Sequence, residues 1–289
     1  MKHNKKPLVL SIFNAFYHLK KNQIVIVLIL LVLLILTFIP IVYLTVLSLK
    51  DNGQIYGRFW SLPNPYRFEN FILGWQVISH AILNSTIASG VSTLGNVVFA
   101  SLAGFVFARH NFPLKEYIYI TILALLMVPE ILMLIPEFVL INSMGLENTL
   151  WALIFPWMAG GQVFSLLLFR MFFSTLSKEF FDAARIDGAN EMQVFLKICI
   201  PLSMPIIITV VVIRMVGTYN QFIRPLLMIS DHKKQVVAVA MTQFSSDTGV
   251  TDLGPQMAAY IISAVPLIIL FSFGMKFYIS GLTAGGLKA

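Results

Sequence analysis

The 289-residue chain is 58% hydrophobic and 11% charged, against roughly 45–50% and about 25% in soluble domains, and its mean hydropathy is +0.84. A water-soluble globule is excluded. Cys199 as the one cysteine and five scattered histidines exclude a disulfide framework and any multi-cysteine zinc site, and the net charge of +7 lies beside apolar blocks, without the basic stripe of a nucleic-acid binder.

Crossing about 30 Å of hydrocarbon takes roughly 20 helical residues, and six segments are long enough: Gln23 to Leu49, Ile78 to Ala108, Tyr117 to Ile141, Thr149 to Phe172, Pro201 to Met228 and Gln256 to Ile279. The fold class is therefore all-α, a polytopic membrane protein with six transmembrane helices. Residues 1–22 form a cytoplasmic N-terminal segment, and 23–289 form one transmembrane domain. The first block follows Lys2, Lys5, Lys6, Lys20 and Lys21, but it exceeds a signal-peptide core and no small-x-small cleavage site follows. It reads as a retained helix.

The loop after it, with Asp51, Asn52, Gly53, Pro63, Asn64 and Pro65, is turn-rich. On the second span Ser85, Ser89, Ser92 and Asn96 make a small, polar stripe, expected chiefly to pack against another helix, with a water-lined path as the alternative. The third span carries Glu130 and Glu137, seven apart on one face and each after a proline, Pro129 and Pro136. The fifth carries Arg214, Thr218 and Gln221. Charge inside a bilayer is costly, so Glu130, Glu137 and Arg214 are expected to face a cavity or one another, and proline-interrupted helices often line transport sites. With the N-terminus inside, thirteen Lys and Arg fall on the cytoplasmic side. Six fall outside: Lys50, Arg58, Arg67, Arg224, Lys233 and Lys234. The bias puts both termini in the cytoplasm.

Between the fourth and fifth spans, in the cytoplasmic loop 173–200, Phe180 to Asp187 reads as a short helix ended by Gly188 in a left-handed conformation. Asn190 with Gln193 makes a capping box for the next helix. Ala183 and Ala184 allow close approach by a partner, and Phe180, Phe181 and Ile186 supply apolar surface. A docking knob is expected; an interfacial helix lying on lipid headgroups is the alternative.

This loop resembles that of the permease subunits of binding-protein-dependent ABC importers, with the pattern Glu-Ala-Ala, three residues, Gly, nine residues, Ile-x-Leu-Pro. Here Asp182-Ala183-Ala184, Gly188, Ile198, Ile200 and Pro201 match at the same spacing. Asp182 has a shorter stem than the family's glutamate, which implies a weaker or rearranged salt bridge to the ATPase subunit. Asn84-Ser85, Ala108-Arg109 with Phe112, Gly145-Leu146 with Asn148-Thr149, and the tail from Lys276 to Gly285 extend the resemblance to the carbohydrate-uptake, MalG-like branch.

The resemblance implies a sugar importer in a bacterial cell membrane, built with a second related permease, two ATP-binding subunits and an extracytoplasmic substrate-binding protein. It implies ATPase coupling through Asp182, Ala183, Ala184, Gly188, Phe181 and Ile186, and tail contacts from Gly281, Gly285, Gly286 and Lys288. No Gly-x-x-x-x-Gly-Lys-[Ser/Thr] loop occurs, so no cofactor is expected in this chain and ATP and Mg belong to the partner ATPase. Tyr219, Asn220 and Phe222 resemble a family segment in which Gln221 replaces the usual acid.

The substrate path is expected to involve Tyr219, Asn220, Gln221, Arg214, Glu137 and Glu130. Three readings of its charges stand: a Glu137–Arg214 ion pair fixing two spans, a cavity biased towards an anionic sugar such as a uronate, or contacts to a neutral sugar. An ion-coupled secondary transporter could use the two glutamates, but the docking loop argues against it. No catalytic constellation supports an intramembrane enzyme.

Overall fold

The computed structural model describes residues 21–243 and 252–286, and every regular element among them is helical. Three helices are long and apolar enough to cross a membrane as single rods: α1 (Lys21–Ser48), α3 (Glu69–Arg109) and α13 (Leu253–Gly286). Between α1 and α3 lies the short α2 (Asn52–Gly57), whose N-cap Asp51 accepts from the Gln54 amide at 2.9 Å. Helix α3 has 41 residues, about 60 Å of rise, and begins well before the expected Ile78.

The other three apolar blocks are bent, and counting each bent pair as one span gives six. Helix α4 (Lys115–Ala124) runs into one 3-10 turn, and a second, Glu130–Met133, leads into α5 (Leu134–Ser143). The two halves meet at 88°. The cause is Pro129, which has no N–H to donate and forces Val128 into extended backbone at φ −79°, ψ 117°. Helices α6 (Trp151–Gly160) and α7 (Gln162–Thr175) meet at 42° across Gly161. The fifth block is α9 (Glu191–Leu202), with a π turn at Phe195–Cys199, and α10 (Met204–Tyr219), bent by 78° beside Pro201 and Pro205. It does not run on to Met228. The chain turns at Asn220 to Phe222 and starts a separate short helix, α11 (Ile223–Met228); α12 (Val237–Gln243) follows.

Helix α3 is the central post, touching α6, α7, α10, α12 and α13. Its Ser85, Ser89, Ser92 and Asn96 are all buried. Asn96 accepts from Ser165 Oγ at 2.6 Å and donates to the Met158 carbonyl at 3.1 Å, and Ser85 Oγ accepts from the Val237 amide at 2.8 Å. The stripe is helix-packing surface rather than a wetted path. Helix α1 is the opposite case, exposed along its flanks from Ile24 to Val42 and packed chiefly against α13.

Candidate functional site

Two constellations stand out. The first is the loop between α7 and α9, where α8 (Lys178–Ile186) starts on Ser177 as N-cap. It ends with Gly188 at φ +81°, the left-handed region that the sequence demands of a glycine there. The Gly188 amide donates to Arg185 O and the Ala189 amide to Ala184 O, each at 3.0 Å. Asn190 and Gln193 then form the expected capping box, both bonds 2.9 Å long.

One edge of α8 is built into the span bundle. Phe181 and Ala184 are buried with Phe105, Phe169, Phe173, Phe195 and Val210, residues of α3, α7, α9 and α10. Phe181 and Ala184 were expected on the docking surface; they face inward because the hydrophobic stripe of so short a helix must cover the bundle end. The other edge is exposed: Phe180, Asp182, Ala183 and Ile186, the last 86% accessible.

Arg109, a family marker in the sequence, ties this elbow to α3. Its Nη2 donates to the Phe173 and Leu176 carbonyls at the end of α7 (2.5 and 2.6 Å), and its guanidinium lies 4.0 Å over the Phe181 ring. Below it, Arg185 donates to Glu191 at 2.9 Å, and Glu191 also pairs with His110 at 3.3 Å. Among the described residues Asp182 is left with one long contact to Arg185, 3.4 Å.

The second constellation gathers the charges expected at membrane depth, but with different partners. Glu137 does not pair with Arg214. Arg224 donates Nε and Nη2 to the two oxygens of Glu137 (2.7 and 3.1 Å) and Nη1 to Glu130 (2.6 Å). The physical reason is the turn after Tyr219: α11 doubles back and lays Arg224, counted above as an outer-loop cation, against the bend between α4 and α5. A signal was present, since Leu226, Leu227 and Met228 continue the apolar run past that arginine. Met228, Ile229, Ile141 and Trp157 share the buried cluster that holds α11 there.

Arg214 donates instead to the Trp157 carbonyl at 2.6 Å, and the Trp157 indole N–H donates to Gln221 Oε1. Its guanidinium fills the space where a Cβ at Gly161 would stand, so the glycine break in the fourth span makes room for that cation. Tyr219, expected on the path, is buried, and its hydroxyl donates to Ser263 O at 2.9 Å. Asn220 and Gln221 line a cavity of about 470 Å³, and Glu130 and Arg224 line both it and a second of about 850 Å³.

The remaining motifs act as clips. Asn84 Nδ2 donates to Lys233 O and Gln235 O (2.9 and 3.0 Å), and Asn148 donates its amide to Met228 O and accepts from the Asp231 amide. Of the proposed tail contacts, Lys288 lies outside the described residues, and Gly281, Gly285 and Gly286 lie in the last turns of α13.

Residues 96–283 match the family described as binding-protein-dependent transport system inner membrane component. The chain is a permease of that family. The melibiose/raffinose/stachyose import permease MelC of Bacillus subtilis is 30% identical over 93% of this permease and 98% of its own length. The trehalose/maltose transport permease MalG of Thermococcus litoralis is 36% identical over 71% and 74%. Among solved structures, a bacterial ABC transporter involved in import of the acidic polysaccharide alginate has a chain that superposes with a TM-score of 0.77 at 19% identity, covering 89% of this permease and 96% of that chain. The likeness establishes an ABC-importer permease fold, with a membrane-spanning bundle.

Proposed function

We propose that this permease lines the translocation path of an ATP-driven oligosaccharide importer in a bacterial cell membrane, with both termini cytoplasmic. A second, related permease completes the path. Two copies of a separate ATPase, carrying ATP and Mg, dock beneath it, and an extracytoplasmic binding protein delivers the sugar. The sugar class is supported by the names of the relatives, MelC and MalG. A secondary transporter is not favoured, because the family is one of binding-protein-dependent systems.

The observation that carries the coupling role is the two-sided elbow. Phe180, Asp182, Ala183 and Ile186 offer a small, exposed surface, while Phe181 and Ala184 on the same short helix sit in a core shared by α3, α7, α9 and α10. A push on the exposed edge therefore reaches several spans through close-packed side chains, which do not deform continuously. ATP-driven closure of the ATPase pair moves the elbow as a lever, with Gly188 as the bend, and rocks the spans between inward-open and outward-open states. Asn220 and Gln221 contribute to the path wall, and Tyr219 holds α10 to α13.

The test is reconstitution in vesicles with the neighbouring permease, ATPase and binding protein. Uptake of raffinose or of trigalacturonate, whichever the system carries, should be blocked by vanadate and unaffected by an uncoupler, and Ala183→Cys should crosslink to the ATPase. Absence of an ATP-hydrolysing subunit from the purified complex refutes the reading.

A further inference from the structure

The three carboxylate–arginine contacts at the bend of the third span are unequal. The Arg224 side chain is 5% exposed, Glu137 17% and Glu130 63%. Glu137 grips Arg224 through two parallel bonds, and Glu130 through one. A bidentate, buried pair is the stronger and the slower to release. Glu130 stands on the 3-10 turn directly after Pro129, at the 88° break.

Arg214 enlarges the imbalance. Among the described residues its guanidinium has no bonded carboxylate, and its Nε is buried without a partner. Glu130 lies beside it, for Oε1 of Glu130 is 3.6 Å from the Cβ position of Gly160 and the Arg214 guanidinium occupies that of Gly161. The inner set of Arg224, Arg214 and Glu137 thus holds two cations and one anion, and the charge that balances it is the half-free Glu130 at the boundary of both cavities. Excess buried positive charge is costly, so Glu130 leaves more readily when another anion takes its place.

We infer that Glu130 is an exchangeable counter-ion, and that the carboxylate of an acidic sugar, such as a uronate unit, takes its place on Arg224 within the field of the neighbouring Arg214. The planar guanidinium suits a carboxylate in two-bond geometry. A neutral sugar brings no charge, and in displacing Glu130 it would leave two arginines with the single anion Glu137. The inference rests on the importer reading and narrows its substrate to acidic oligosaccharides.

The exchange has a sign that a merely structural ion pair lacks: removing Glu130 removes the competitor. The purified complex, with its companion permease and ATPase and without nucleotide, is titrated with trigalacturonate and with galactotriose. Glu130→Gln should bind trigalacturonate about tenfold tighter than the parent, the scale of one charge-assisted hydrogen bond, and galactotriose unchanged. The gain should shrink as salt rises. Arg214→Gln, which costs the fold one bond to a carbonyl, should weaken trigalacturonate binding and spare galactotriose. Equal or weaker binding of trigalacturonate by Glu130→Gln, or no binding of it by either protein, overturns the inference. ATP-driven uptake of raffinose by the same complex would still uphold the importer reading, so the two failures are distinct.

Discussion

The elbow and the charge cluster are built on opposite principles. At the elbow, the buried residues are aromatic and aliphatic, the helix ends are capped, and Arg109 bonds two terminal carbonyls while stacking on Phe181. At the cluster, helices break at Pro129 and Gly161, cavities remain, and one of two carboxylates is largely exposed. An element that transmits force must not yield when pushed, whereas one that passes cargo must exchange partners. Packing density supplies the first property, and broken helices with surplus hydrogen-bond donors supply the second.

Truncation should expose that contrast most strongly at Phe181. Phe181→Ala opens a void in a fully packed cluster and should destabilise the permease by about 3–5 kcal/mol, read as a lowered melting temperature. Ile186→Ala, on the exposed edge, should leave melting unchanged and weaken retention of the ATPase. At the cluster, Glu137→Gln breaks the bidentate buried pair and should cost about 3 kcal/mol, while Glu130→Gln should stay within about 1 kcal/mol. Equal losses from the two would erase the distinction between a fixed and an exchangeable carboxylate.

Gly188→Val tests the bend itself. A β-branched residue at φ +81° costs roughly 1–3 kcal/mol locally, so the complex should assemble and hydrolyse ATP while uptake per ATP falls. Normal uptake by that variant would end the lever account. Asn190→Ala removes one half of the capping box, about 1 kcal/mol, and should soften α9 without touching the charge cluster. Smallest is a pH effect in the outer loop. The Gln54 amide, and then Arg67, hold the Asp51 carboxyl below its usual value. A depressed acid contributes stability above its unfolded pKa and loses it as pH falls through the folded one. Amide exchange in residues 51–58 should therefore accelerate only below roughly pH 4, and Asp51→Asn should abolish that step.

Much was legible before any coordinates. Hydropathy blocks depend on composition over about twenty residues, so the six apolar segments and the membrane class followed from sequence, as did the Gly188 turn and the Asn190–Gln193 box, whose chemistry lies within a few residues. The small polar stripe of α3 was rightly read as packing surface. What failed depended on where the chain goes after a break. Pro129, Gly161 and Ser203 turn expected rods into bent pairs, and the turn at Asn220 brings Arg224 to Glu130 and to Glu137, for which a pair with Arg214 was one of three readings.

The sequence by itself therefore determined the solvent, the number of apolar segments and the local caps, because these follow from hydration and short-range backbone geometry. Only the tertiary structure decided which charges meet, that Phe181 faces inward and that Glu130 is the exposed member of its pair. Those outcomes depend on the angles between helices, and a few degrees at a proline or glycine break choose among partners that look equivalent along the chain.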